Sequence, residues 1–250
     1  MIDLQGTVAL VTGGSRGIGR ATAILLARAG ADVALTCRTR FAEAEAVAEE
    51  IRRLSRRVWV GAGDLGDAKE VERLFDSAVT ALGPFDCFVA NAGIWPVDDV
   101  PLREMSSDRW SATMHANLDA LFLTTRAALR RMQPGGRMVL VGSTAGQRGE
   151  AYHADYAATK GAMTSMVKSL CVECAPGVRV NCVAPGWVDT EMSWPAFSDG
   201  GRERITETIP LRRIASPEDI AGPIVFLCSD LARHVTGEIL NVNGGSVLCG

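Results

Sequence analysis

The sequence predicts an α/β fold: a single-domain, Rossmann-type, doubly wound parallel sheet of about seven strands with helices on both faces. Three observations carry the prediction. Short apolar runs alternate with longer stretches of helical periodicity almost from end to end. Glycine or proline closes several of those helical stretches. No linker, low-complexity segment or further repeat interrupts the 250 residues, so residues 1–250 read as one domain.

Taken in order, residues 8–11 form a first strand that runs into a glycine-rich turn. Residues 19–29, rich in Ala and Leu, make a helix that Gly30 stops. A second strand at 33–36 precedes a helix at 42–54, whose apolar residues recur at helical spacing among Glu and Arg. A third strand at 58–62 leads to a helix at 68–82, closed by Gly83-Pro84. Residues 88–90 are a fourth strand. A long helix covers about 108–132 with Ser106 or Ser107 as its cap, and Pro134-Gly135-Gly136 breaks the chain before a fifth strand at 138–141. A helix at about 156–174 and a sixth strand at 178–183 follow. Ser216-Pro217-Glu218-Asp219 then combines a cap, a first-position proline and first-turn acids, opening a helix to about Cys228. Residues 239–242 are a seventh strand.

Composition narrows the function. A net charge of −3 argues against a non-specific nucleic-acid binder, which needs a basic face. No apolar stretch reaches the ~18 residues that span a bilayer. The N-terminus has no basic region ahead of its apolar run, so it reads as the first strand rather than a secretory signal. The seven cysteines, Cys37, Cys87, Cys171, Cys174, Cys182, Cys228 and Cys249, are scattered mostly through apolar surroundings. They read as buried free thiols in a reducing cytoplasm. Cys171-x-x-Cys174 has no second ligand pair, so no metal site is expected.

Chemistry is expected at the carboxyl ends of the strands. The turn Thr12-Gly13-Gly14-Ser15-Arg16-Gly17-Ile18-Gly19 lies between strand and helix, where glycine allows close backbone approach and the helix N-terminus favours a pyrophosphate. A structural turn is the bland alternative. An acidic residue at the end of the second strand would bond a ribose 2′-hydroxyl. Cys37 stands there instead, followed by Arg38, which suits a 2′-phosphate, with Arg16 able to approach from the other side. Solvated surface arginines are the alternative reading. Asp64, with Leu65, is placed to meet the adenine edge, or Asp64 caps the next helix.

Tyr156 and Lys160 share a helix face four residues apart, and an ammonium there favours the ionised phenol. A tyrosine tuned toward neutrality can exchange a proton with an alkoxide or alcohol. Ser143, at the end of the fifth strand, can bond the substrate oxygen. The glycine loop, Asn91-Ala92-Gly93, Asn117, Ser143, Tyr156-x-x-x-Lys160 and Pro185-Gly186 together resemble the short-chain dehydrogenase/reductase family, in order and over essentially the whole chain. Within it, the chain looks most like the 3-oxoacyl-(acyl-carrier-protein) reductase group.

The resemblance implies an NADP(H)-dependent oxidoreductase with roles for named residues. Tyr156 is the general acid/base, Lys160 lowers its pKa and holds the nicotinamide ribose, and Ser143 orients the carbonyl. Asn117 holds a water that links Lys160 to solvent. Gly13, Gly17 and Gly19 line the pyrophosphate, Asn91 supports the adenosine side, and Val188 and Thr190 fix the carboxamide. A homotetramer is implied, with a small carbonyl or alcohol substrate that an acyl-carrier protein can carry. Ala90 stands where the family often has a first asparagine, and the approach to Tyr156 (Tyr152, His153, Ala154, Asp155) is unusually polar.

Residues 187–210 read as a substrate lid with Gly200-Gly201 as a hinge. Trp187, Met192, Trp194 and Phe197 in it, with Trp95, His153 and Ser143, are the candidate substrate contacts; packing on the lid's own subunit is the alternative. His153 reads more simply as a surface loop residue. His115 and His234 have no identifiable partner and read as structural. Arg130 and Arg131 read as a solvated helix end before a carrier-protein contact. Ketone reduction is the leading chemistry. Oxidation of a sugar, steroid or other secondary alcohol is the rival, and a non-catalytic nucleotide sensor would have no need of the four polar residues together.

Overall fold

The computed structural model describes residues 2–248; Cys249 lies outside the described residues. The chain runs through β1 (Val8–Thr12), α1 (Gly17–Arg28), β2 (Asp32–Cys37), α2 (Phe41–Arg53), β3 (Val58–Ala62), α3 (Ala68–Leu82) and β4 (Phe85–Ala90). It continues through α4 (Ser107–Thr113), a π-helical turn (Met114–Asp119), α5 (Ala120–Leu129), β5 (Met132–Val141), α6 (Ala145–Arg148) and α7 (Ala154–Glu173). β6 (Val178–Pro185), α8 (Gly201–Thr208), α9 (Pro217–Leu227) and β7 (Ile239–Val242) complete it.

All strands pair in parallel in one sheet of seven, in the order β3-β2-β1-β4-β5-β6-β7. The chain winds outward one way from β1 and the other way from β4. Adjacent strands β1 and β4 therefore form the switch point, outside which open α/β sheets hold their ligands. Alternate side chains of each strand enter opposite cores. Ala9, Val11, Val33 and Leu35 pack with α1 and α9 through Leu26, Ile220 and Ile224. Val8, Leu10, Met138 and Leu140 pack with α3, α5 and α7 through Phe75, Leu121 and Val167. Helices cover both faces because parallel strands joined by crossovers bury both.

Ser216 caps α9 as a full capping box with Asp219. The predicted helix over 108–132 is interrupted: Ser106 caps α4, and the ladder then slips into the π-helical turn before α5 resumes. Nothing in the apolar periodicity marks that slip, which adds a residue to one turn. The Pro134-Gly135-Gly136 break is also corrected. β5 already pairs with β4 at Met132↔Phe85, and these residues form an irregularity within the strand before Arg137↔Cys87. α1 begins at Gly17, two residues inside the stretch read as turn. The segment 187–210 is partly helical, with a 3-10 turn at Trp194–Phe197 followed by α8.

Cys37, Cys87, Cys182 and Cys228 are buried free thiols, while Cys171 and Cys174 are half-buried. No helix among the described residues is long and apolar enough to cross a membrane.

Candidate active site

A cleft of about 460 Å³ opens at the carboxyl ends of the central strands. One end is built by the glycine turn. Gly13 has φ +66°, and a Cβ there would meet Ala92 Cα at 3.0 Å; a Cβ on Gly19 would lie 2.2 Å from the Gly13 carbonyl oxygen. These positions tolerate only glycine, and they draw the backbone tightly around the cleft. Arg16, at the N-cap of α1, makes no side-chain capping bond, so the first-turn N–H groups remain available to an anion. Asn91 is a strut: its Nδ2 donates to the carbonyls of Thr12 (2.9 Å) and Gly13 (3.2 Å). Thr12 Oγ1 accepts in turn from the N–H groups of Asn91 (3.0 Å) and Ala92 (3.1 Å). Ser15, Arg16, Gly17, Ile18, Ala92 and Gly93 line the same wall.

Cys37 is buried at the end of β2, and Arg38 follows it at the cleft. Arg38 pairs with no carboxylate among the described residues, whereas Arg16 pairs with Glu191, which also lies 3.1 Å from Arg40 Nη2. Sequence reasoning passed over Arg40 and Glu191; each stands within two residues of a position it had singled out, but only the fold joins them. Asp64 and Leu65 reach the cleft. Asp64 does not cap α3. Asp67 does, accepting from Lys69 and Glu70, because the chain makes one more turn first. Asp64 accepts instead from the Gly66 N–H (2.9 Å) and faces His115 Nε2 at 3.3 Å, so His115 has a partner after all. The Gly66 bond, with His115 and Arg38, holds the Asp64 carboxyl below its usual range despite some desolvation. His234 is exposed.

The polar residues expected to carry the chemistry converge across elements distant in sequence. Ser143 follows β5, and Tyr156 and Lys160 lie in the first two turns of α7; all three line the cleft. Lys160 Nζ donates to the Val141 carbonyl (2.8 Å) and stands 5.7 Å from the centroid of the Tyr156 ring. Burial pushes the Tyr156 phenol up to about 12, with the Glu150 carboxylate adding to the rise and a Ser143 hydrogen bond opposing it. Burial brings Lys160 down to about 8. The expected depression of the tyrosine by its lysine is therefore corrected: desolvation of the half-buried phenol is the largest cause, and Lys160 is not among the groups that shift it. Asn117 does not line the cleft. It is buried behind it in the π-helical turn, its Oδ1 accepting from Ile94 N–H (2.7 Å) and its Nδ2 donating to Ile94 O (3.0 Å) and Thr159 Oγ1 (3.3 Å).

The polar residues ahead of Tyr156 are structural anchors. Asp155 is fully buried and accepts from Arg109 Nε (3.1 Å) and Thr113 Oγ1 (2.8 Å), tying α7 to α4. His153 is 2% exposed, so the surface-loop reading is corrected. It stacks on Trp95 with centroids 4.7 Å apart and hydrogen-bonds the Pro96 carbonyl at 2.8 Å. Neither it, Trp194 nor Phe197 lines the cleft, whereas Trp95, Trp187, Met192, Pro185, Gly186, Val188 and Thr190 do. Phe197 packs behind Trp187 (5.9 Å), and Trp194 points outward with its Nε1 donating to Asp189 (3.0 Å). Glu150, unnoticed in the sequence, reaches the cleft and accepts from Trp95 Nε1 at 3.1 Å. Arg131 is also no solvated end: it pairs with Glu72 (2.6 Å) and Asp76 (2.7 Å) of α3.

Residues 13–246 match the family profile described as enoyl-(acyl carrier protein) reductase. The chain belongs to the short-chain dehydrogenase/reductase family. It is 40% identical to a 3-oxoacyl-(acyl-carrier-protein) reductase of Aquifex aeolicus over 98% of each chain. It is 39% identical to an L-rhamnose 1-dehydrogenase (NAD(P)(+)) of Azotobacter vinelandii, again over 98% of each. A short-chain dehydrogenase of Burkholderia cenocepacia, solved in complex with NADP, superposes with a TM-score of 0.91 at 35% identity, covering 97% of this chain and 98% of that one. This member of the family is thus an oxidoreductase of a group that works with nicotinamide cofactors.

Proposed function

We propose that this short-chain dehydrogenase/reductase reduces a ketone to a secondary alcohol with NADPH, 3-oxoacyl thioesters being the first class to test. The observation that carries the reading is the convergence of Ser143, Tyr156 and Lys160 at the cleft, with Lys160 Nζ 5.7 Å from the centroid of the Tyr156 ring. Desolvation pushes the half-buried phenol up to about 12, so it keeps its proton at neutral pH, the form that a reduction consumes.

The residues fit the dinucleotide. The cradle between Gly13 and Gly19, which a Cβ would fill, would seat the pyrophosphate with Ser15, Gly17 and Ile18. Asp64 and Leu65 would flank the adenine, and Asn91, Ala92 and Gly93 would hold the adenosine side. Pro185, Gly186, Val188 and Thr190 would meet the carboxamide. The nicotinamide, when bound, supplies the hydride. Ser143 donates to the carbonyl oxygen and holds it toward Tyr156, whose Oη delivers the proton as the alkoxide forms. Lys160 would hold the nicotinamide ribose and would return a proton toward Tyr156. Asn117 positions the route from Lys160 to solvent, its side chain locked by Ile94.

NADPH is preferred over NADH because no acid ends β2 and Arg38 is left without a carboxylate partner among the described residues. Replacing Arg16 and Arg38 together by neutral residues is expected to cost a few kcal/mol of NADPH binding, since hydrogen bonds to charged groups run ~1.5–3 kcal/mol each. Adding Cys37→Asp turns the preference toward NADH. The ratio of kcat/KM for the two cofactors reads both effects, and a wild type that favours NADH defeats the argument.

The segment 187–210 acts as a lid. Trp187→Ala is expected to weaken kcat/KM for bulky ketones by one to two decades, as burial of such a ring is worth roughly 1.5–3 kcal/mol. Trp194→Ala, pointing outward, changes little. Equal losses on short and long ketones in Trp187→Ala would make it a packing residue only. Exposed Trp110, Phe122 and Val172 on α4, α5 and α7 support helix pairing into a homotetramer. The buried free thiols suit a cytoplasmic setting. A screen of NADPH consumption over ketones, 3-oxoacyl thioesters and quinones tests the substrate reading. Turnover confined to one thioester length supports the carrier-linked class, and turnover of none of the three overturns ketone reduction.

A further inference from the structure

Beyond Tyr156 the cleft meets a second cavity of about 410 Å³. Trp95, Glu150 and Trp187 line both spaces. The two indoles stand edge to face, centroids 6.0 Å apart and planes at 83°. Neither ring is loose. His153 backs Trp95 at 4.7 Å, and Phe197 packs on Trp187 at 5.9 Å. The Trp95 N–H in turn fixes one oxygen of Glu150. The other, Oε2, takes no hydrogen bond from the described residues and is not sealed from solvent.

A carboxylate held at an aromatic wall is costly to keep charged, and burial raises the pKa of Glu150. A hydroxyl would satisfy one lone pair and leave the charge uncompensated. A cation would compensate it. The titratable and charged groups that act on Glu150 are His153 and the exposed Arg148 at the cleft edge, which oppose the rise, and Asp99, which adds to it and whose carboxylate lies 3.7 Å from His153 Nδ1. Arg202, ion-paired with Asp189, is already engaged 4.6 Å over Phe197.

We propose that Glu150, which lines both spaces with Trp95 and Trp187, is a specificity-determining residue that binds an ammonium group carried by the substrate near its carbonyl. The inference rests on the ketoreductase reading and deepens it: the preferred substrate is an amino ketone rather than an unbroken acyl chain. Glu150→Gln keeps an acceptor for the Trp95 N–H and removes only the charge.

The test uses three ring ketones of matched size, N-methylpiperidone, methylcyclohexanone and hydroxycyclohexanone, each substituted opposite the carbonyl, at a pH where the amine is protonated. Wild type is expected to favour the amine over the methyl compound by at least about tenfold in kcat/KM with NADPH, and Glu150→Gln to erase that ratio. The same pair is titrated into the NADP⁺-loaded protein, with quenching of tryptophan fluorescence as the readout. Binding of the amine should weaken about tenfold in the variant while binding of the methyl compound does not. The proposal is overturned if the amine shows no preference, if the preference survives Glu150→Gln, or if the hydroxy ketone equals the amine, which would assign Glu150 to a hydroxyl. Failure of all three ketones to turn over would overturn the amino ketone as substrate and leave ketone reduction to the wider screen, and the titration would still decide the role of Glu150.

Discussion

Tyr156→Phe is expected to lower kcat by at least ~10²-fold, because the proton donor is removed while its ring remains. That is about 2.7 kcal/mol of barrier. NADPH binding should change little, since the ring still packs and Lys160 still donates to Val141. The pairing of kcat loss with retained cofactor affinity separates a chemical role from a structural one. Substantial turnover in this variant removes Tyr156 from acid–base work. The alkaline limb of the wild-type profile offers a second check. Lys160, brought down to about 8, loses its proton well before Tyr156, pushed up to about 12. The reductive rate should therefore first decline near the lysine value, as the return of protons toward Tyr156 is cut.

Asp155→Ala is expected to be the most damaging single change to stability. It strips the carboxylate from Arg109, itself mostly buried and then left with only the Asp98 and Tyr152 carbonyls, and from the Thr113 hydroxyl, and it releases the start of α7 from α4. Removing one partner of a buried ion pair costs about 3–5 kcal/mol. For a chain of this size that is a fall in Tm of roughly 6–20 °C. Asp155→Asn keeps the Thr113 bond and should lose less. Burial raises the Asp155 pKa, but Arg109 and Thr113 outweigh it and leave the carboxyl below its usual range. Its stabilising contribution is therefore present above the unfolded value, ~3.9, and is lost as pH falls through the lower folded value. A thermal melt of both variants checks this; an unchanged Tm in Asp155→Ala would show that the pair carries no net stability.

The alternation of strands and helices was legible because parallel strands buried on both faces write themselves as short apolar runs. The glycine turn was legible because its tight approach to Ala92 and Asn91 admits no side chain. Ser143, Tyr156 and Lys160 were legible as a pattern. What escaped were features set by pairing across the fold. The π-helical turn around Asn117 leaves no mark in apolar periodicity. Asp155 and His153 look like surface polar residues because their partners, Arg109 and Trp95, lie 46 and 58 residues away along the chain. Glu150 and Glu191 likewise acquire meaning only when the sheet brings Trp95, Arg16 and Arg40 beside them. The pKa of Tyr156 was misjudged for the same reason: spacing to Lys160 is visible in a sequence, and desolvation is not.

The central claim is that this chain runs carbonyl reduction with NADPH. The most direct test compares initial rates on one accepted ketone–alcohol pair with each of NADPH, NADH, NADP⁺ and NAD⁺ at neutral pH. The account predicts that reduction with NADPH is fastest, with kcat/KM at least ~10-fold above NADH, about the 1.4 kcal/mol that one charged contact to a 2′-phosphate readily supplies. Faster alcohol oxidation with NAD⁺ than ketone reduction with NADPH would contradict it.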